Sequence, residues 1–130
     1  MDQERLLHLN EISRSIIGAA IAVHKELGPG LLESVYELCL VQELQNQGVN
    51  VLHQVDVPLY YKGVLTDKKF RIDVLVENEV IVELKAVDTV LPIHEAQLLT
   101  YMKLSGKNLG LLINFNVQEL RKGVRRRILG

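Results

Sequence analysis

Asp73, Glu83 and Lys85 are the residues of this chain whose types and spacing could do chemistry together. Within Val80–Val87 the even positions Val80, Val82, Leu84 and Ala86 are apolar, and Glu83 and Lys85 share the odd face of a strand. In the preceding run Ile72, Val74 and Val76 are even and apolar, while Arg71, Asp73 and Glu77 are odd. A two-residue turn would pair Val76 with Ile81 and set one strand's apolar face beside the other's charges. An odd-length turn pairs 73 with 83 and lets the apolar faces agree, so burial of the even face predicts that register. Cross-strand neighbours lie roughly 5 Å apart, near enough for two carboxylates to share one cation. Hard oxygen ligands with water completing the shell suit Mg²⁺, which activates a bound water and stabilises charge on a phosphoryl transition state. Lys85 would orient that water or neutralise the developing charge. The alternative is a strand-surface salt bridge, Glu83 with Lys85 at i, i+2 and Asp73 opposite.

The elements that must position these residues follow from hydrophobic spacing. Ile12, Ile16, Ala19, Ala20, Val23 and Leu27 recur at helical intervals, predicting a helix over about 11–27 that Gly28-Pro29-Gly30 ends. A second helix is predicted over about 31–47, with Leu32, Val35, Cys39 and Leu40 inward and Gly48 as its stop. Strands are predicted over about 50–61, 68–77 and 80–87, the first bounded by Lys62-Gly63 and the last two joined around Asn78. A helix over about 93–105 has Pro92 before it and Gly106 after it, and the apolar run Leu109–Phe115 reads as a strand buried on both faces. The order is α-α-β-β-β-α-β, with no repeat and no linker.

Length and composition set the outer bounds. The 130 residues fit one domain, 1–130, and an apolar share of 48% supplies enough burial to offset chain entropy, which excludes a disordered chain. The most apolar uncharged stretches, Ser15–Val23 and Asn108–Gln118, fall short of the ~20 residues of a membrane span, so no membrane partner is expected. The opening Met1-Asp2-Gln3-Glu4-Arg5 lacks the order of a secretory signal, and a lone Cys39 forms no intrachain disulfide; both point to a reducing cytoplasm. His8, His24 and His53 show no zinc-ligand spacing. The net charge of −1 hides an asymmetry. Residues 1–120 carry ten Lys/Arg against sixteen Asp/Glu, whereas the last ten carry Arg121, Lys122, Arg125, Arg126 and Arg127. This basic C-terminal tail, 119–130, either grips nucleic-acid phosphates or pairs with the acidic body.

Ile72-Asp73, nine residues, then Glu83-Leu84-Lys85, in this order of elements, resembles the PD-(D/E)XK nuclease superfamily. More narrowly, Gly30-Leu31-Leu32-Glu33-Ser34-Val35-Tyr36 resembles the signature of the bacterial GxxExxY proteins, a branch of that superfamily. Gln97-Leu98-Leu99-Thr100-Tyr101 is similar to the Q-x-x-x-Y motif of its RecB-like exonucleases. One departure is Ile72, where the superfamily name has proline. The resemblance implies an α/β, restriction-endonuclease-like αβββαβ core, with a mixed central sheet flanked by helices and an extra N-terminal helix. It implies that Asp73 and Glu83 bind Mg²⁺, with Mn²⁺ as substitute and the Leu84 carbonyl as a further ligand, while Lys85 assists the attacking water. Glu33 would complete or extend the metal site beside Tyr36, and Gln97, with Tyr101 next to it, would steady the Lys85 end or a substrate phosphate.

The activity implied is metal-dependent hydrolysis of DNA phosphodiester bonds, exonuclease-like by the Gln97–Tyr101 match. The alternative is a catalytically silent nucleic-acid-binding or protein-interaction module on a nuclease fold. So small a core would need its basic tail, a second copy in a homodimer, or a protein partner to hold a duplex. A phosphatase-like hydrolase would use the same chemistry. Each auxiliary residue also has a plainer role open to it. Glu33 stands at N3 if Gly30 caps the second helix, where a carboxylate favours the helix dipole by ~0.3–1 kcal/mol. Gln97 and Tyr101 are i, i+4 neighbours on one face. His94 beside Pro92 and Glu95 suits a cap, and Cys39 suits core packing.

Overall fold

Asp2 accepts a hydrogen bond from the Arg5 backbone N–H at 2.8 Å, and this cap starts α1 at Gln3. A computed structural model describes all residues, 1–130, and in it α1 spans Gln3–Leu27, eight residues longer at its start than the spacing predicted. By length and composition α1 could cross a membrane. Its apolar face is already used: Leu9, Ile12, Ile16, Ala19, Ala20 and Val23 are buried in the core. The remaining elements are α2 (Glu33–Asn46), β1 (Val51–Tyr61), β2 (Val64–Val76), β3 (Val80–Lys85), α3 (Pro92–Ser105), β4 (Leu109–Asn114) and β5 (Val124–Ile128).

The strands form one mixed sheet in chain order, β1-β2-β3-β4-β5, in which β3 and β4 run parallel and every other neighbour runs antiparallel. This bears out the expected α/β architecture, with helices on both faces. Val74, Val76, Val80, Val82 and Leu84 join α1 and α2 in one cluster, whereas Leu75, Ile81 and Leu112 lie with Leu98 and Met102 of α3 in the other. Gly110 makes room for α3, because a Cβ there would stand 2.7 Å from Met102 Sδ and 2.8 Å from Leu98 Cδ1.

The predicted hairpin register is the observed one: Val76 pairs with Val80 and Val74 with Val82 across the three-residue turn Glu77-Asn78-Glu79. Two features of the expectation need correction. The odd face, read only for its charges, also carries Leu75 and Ile81, which are buried beneath α3. Nor does the even face run unbroken through β2, because Ile72 sits in the α3 cluster and Val74 in the opposite one. Alternation fails at Asp73, opposite Gln54, which has a positive φ of 52°.

Three smaller corrections concern element ends. Leu32 was expected inside but is 74% exposed, since it is the N-cap of α2 and precedes the inward positions Tyr36, Leu40, Val41 and Leu44. Glu33 is consequently the first residue of the helix and not its third. The basic C-terminal segment is more than a tail: a 3-10 turn at Leu120–Gly123 leads into β5, which pairs along β4 from Leu109↔Ile128 to Ile113↔Val124.

Candidate active site

Asp73 and Glu83 meet where β2 and β3 are still adjacent and the alternation of β2 breaks. Asp73 Oδ2 accepts a hydrogen bond from the Leu84 N–H at 2.9 Å, which fixes that carboxylate against the backbone of β3. Glu83 is only 6% exposed, and its Oε1 has no hydrogen-bond partner. Burial, then the hydrogen bond and charge of Asp73, push the Glu83 carboxyl up to about 10. A buried carboxyl with an orphaned oxygen is costly unless something binds it.

Lys85 closes β3 and is half-buried. Its backbone carbonyl accepts from the Phe115 N–H at 2.9 Å. The neighbouring Asn114 side chain accepts from the Val87 N–H at 3.1 Å and donates to the Val87 carbonyl at 2.9 Å, tying the segment after Lys85 to β4. Sequence reasoning missed Asn114, whose signal was a polar residue ending an otherwise apolar buried strand. No ion pair joins Lys85 to Glu83 or Asp73, and Glu83 is not on the surface, so the arrangement is not the strand-surface salt bridge.

The first turn of α2 faces Asp73. An open cleft of about 520 Å³ is lined by Leu32, Glu33, Ser34, Glu37, Gln54 and Asp73. Partial enclosure raises the Glu33 pKa, Lys85 opposes the rise, and the charges of Asp73 and Glu37 add to it. Glu33 thus feels both Asp73 and Lys85. It does not close on them as a ligand, since nowhere do three His, Cys, Asp or Glu side chains gather around one point.

Tyr36 explains how Glu33 reaches this place. Its ring is fully buried and stacks on Phe115 at 4.5 Å between centroids and 10° between planes. Its hydroxyl donates to the Gly28 carbonyl at 2.6 Å and accepts from the Leu31 N–H at 3.1 Å. Gly30 inside that turn has φ 97°, a conformation that favours glycine. The Gly30, Glu33 and Tyr36 spacing is therefore a turn clamp that delivers a carboxylate to the cleft, and Tyr36 itself stands in the core.

Gln97 and Tyr101 lie together on α3, where Gln97 Nε2 donates to Tyr101 Oη at 2.9 Å and the Tyr101 ring rests on Phe70 of β2, 4.8 Å between centroids. Neither hydrogen-bonds Asp73, Glu83 or Lys85. His94 Nδ1 accepts from the Leu91 N–H at 3.1 Å, which is a cap. Of the basic residues, Arg125 and Arg127 reach Glu95 of α3, Arg126 reaches Asn10 of α1, and Lys122 lies 3.7 Å from Glu119. Arg121 makes no ion pair.

As a donor set for a divalent cation, Asp73 and Glu83 fit. Both offer hard oxygen, they share one point of the sheet, and the Glu83 oxygen has no other partner. The family profile of the PD-(D/E)XK nuclease superfamily matches residues 10–127. Among solved structures, the crystal structure of SSO0001 is similar, with a TM-score of 0.56 at 22% identity over 74% of this chain and 50% of that one. The chain thus spans half the length of that protein, and a likeness at this identity speaks for the fold. No curated protein matches the chain.

Proposed function

Because this chain belongs to the PD-(D/E)XK nuclease superfamily, we propose that it hydrolyses phosphodiester bonds in DNA with a divalent cation, Mg²⁺ or Mn²⁺ in its place, held by Asp73 and Glu83. The observation that carries this reading is the buried Glu83 carboxyl, partnerless at Oε1 beside Asp73 and without a lysine or arginine in ion-pair contact. When bound, the cation supplies a more acidic water and charge stabilisation at the phosphorus. Asp73 holds its own position through the Leu84 N–H, leaving its other oxygen for ligation. Lys85, unpaired and anchored through its backbone, keeps its ammonium for the attacking water or a phosphate oxygen. Glu33 sets the electrostatics of the cleft from the start of α2 and takes part through an intervening water rather than as a direct ligand. The Gly30–Tyr36 stretch supports placement in the GxxExxY branch, and the Gln97–Tyr101 pair supports an end-directed action.

Cleavage of end-labelled single-stranded, linear and circular duplex DNA in Mg²⁺, Mn²⁺ and EDTA tests the reading, beside Lys85→Ala. We expect metal-dependent cutting that falls at least about a hundredfold in the variant, the scale of a general acid–base or electrostatic contribution. Circular DNA left whole marks an end-dependent enzyme. Wild type and variant alike on every substrate would sink the proposal. A binding module on the same fold is then the better reading, and in its favour stands Glu33, which does not close with the carboxylate pair.

A further inference from the structure

Residues 54–72 run past the end of the β2–β3 ladder. β2 pairs with β3 only over Val74–Val76, so the outer parts of β1 and β2 pair with each other alone as a two-stranded arm. Its base, with Val55, Val57, Phe70 and Ile72, packs against the α3 cluster, and the rest projects beyond it. Lys62 and Gly63, at φ 49° and 79°, close it in a two-residue turn of the kind that matches strand twist. Just below the turn the ladder slips from Pro58↔Lys69 to Tyr60↔Leu65, leaving residues 66–68 bulged. The Thr66 hydroxyl locks the bulge, donating to the Leu59 carbonyl at 2.7 Å and accepting from the Lys68 N–H at 3.2 Å.

The tip is built but uncovered. Tyr60, Tyr61, Val64 and Leu65 are 57%, 64%, 67% and 57% exposed, and the Lys62 ammonium lies 5.5 Å from the centroid of the Tyr61 ring. An apolar cluster of this kind marks a surface that meets something. The arm carries Lys62, Lys68, Lys69 and Arg71 against Asp56 and Asp67, which makes it cationic in a chain whose first 120 residues are net acidic. Aromatic rings interleaved with cations suit a polyanion with flat faces, stacking on bases while ammonium groups take phosphates. The bulge and the lysines also work against edge-to-edge pairing with another protein strand.

We infer that the β1–β2 arm grips the nucleic-acid substrate at a distance from the bond cut, with Tyr60 and Tyr61 on bases or sugars and Lys62 and Lys68 on phosphates. This rests on the nucleic-acid reading of the carboxylate site. Along β1, which lacks the extra residues of the bulge, seven steps lead from Gln54, opposite Asp73, to Tyr61 at the tip. At ~3.3 Å per residue the tip lies about 23 Å along the strand from the site, or about seven nucleotides of duplex at ~3.4 Å each.

The test is DNA binding by anisotropy in EDTA, where nothing is cut, with labelled single strands and duplexes of about 30 nucleotides and a short DNA of about six. We expect Tyr60→Ser with Tyr61→Ser to weaken binding of the long DNA about tenfold or more, and to leave the short DNA unaffected. Lys62→Gln with Lys68→Gln should flatten the salt dependence of long-duplex binding by nearly two in log–log slope. Unchanged affinity in both variants, or no DNA binding by wild type, overturns the inference. So does a tip variant that changes only self-association, which would make the arm a contact between copies. Arm-dependent binding with no cleavage in any metal upholds the grip while removing the nuclease reading. Cleavage of long DNA by arm variants at the wild-type rate and affinity does the reverse.

Discussion

Between pH ~4.5 and ~10 the folded protein holds a proton on Glu83 that an unfolded chain has lost, because the carboxyl moves from 4.5 to about 10 on folding. Unfolding therefore releases a proton across this range, and stability falls as pH rises through it. The sign is opposite to that of a salt-bridged carboxylate. Glu83→Gln imitates the protonated form and removes this pH dependence. In EDTA we expect the variant to melt several degrees above wild type at pH about 9 and close to it at pH about 5, read by thermal denaturation. Parallel curves would mean that Glu83 is ionised in the folded, metal-free protein. A site residue that destabilises its own fold is a mark of function, since a carboxyl kept for structure would have been given a partner.

At the scale of elements, the turn between α1 and α2 carries the next prediction. Tyr36→Phe keeps the stack on Phe115 and removes the hydroxyl that links Gly28 to Leu31. Two hydrogen bonds at ~0.5–1.5 kcal/mol each, partly replaced by water, set a loss of about 1–2 kcal/mol in urea unfolding. Cleavage should fall with it, because the turn presents Glu33, and a drop in stability with no change in rate would separate Glu33 from the reaction. The same element scale shows what the amino-acid order makes legible. The Asp73–Glu83 register was readable because burial of Val74, Val76, Val80 and Val82 on one face admits a single turn parity. The break at Asp73 was not, since Gln54 at positive φ has no signature in an apolar-alternating strand. β5 was hidden for another reason. Only Val124 and Ile128 are apolar in it, and the strand exists because β4 offers a free edge and Gly123 lets the chain pass the Asn114 carbonyl, with which any Cβ would collide.

Over the whole molecule, charge decides how a polyanion could approach. The first 120 residues are net acidic, and the cations that offset them are concentrated on β5 and its flanks. Folding settles part of the choice left open by sequence. Glu95 of α3 engages Arg125 and Arg127 together, so two of the five basic residues are paired with the body, whereas Arg121 makes no ion pair. These pairs are partly exposed, and such pairs are worth ~0–1 kcal/mol, too little to be the reason the fold stands. They do hold two arginines away from any phosphate. Glu95→Gln removes a negative charge and releases both guanidinium groups at a cost in stability below about 1 kcal/mol. If β5 belongs to the nucleic-acid surface, the variant should bind duplex DNA more tightly, with a log–log salt slope steeper by about one to two, one increment of ~0.9 for each phosphate newly neutralised. Affinity and slope equal to wild type would assign Arg125 and Arg127 to tying β5 against α3 and leave the arm, the remaining basic residues of the C-terminal segment and the cation at Asp73 and Glu83 to attract a polyanion. Titrating DNA into wild type and variant across a range of salt separates the two, because a structural pair changes the melting point and a phosphate ligand changes the slope.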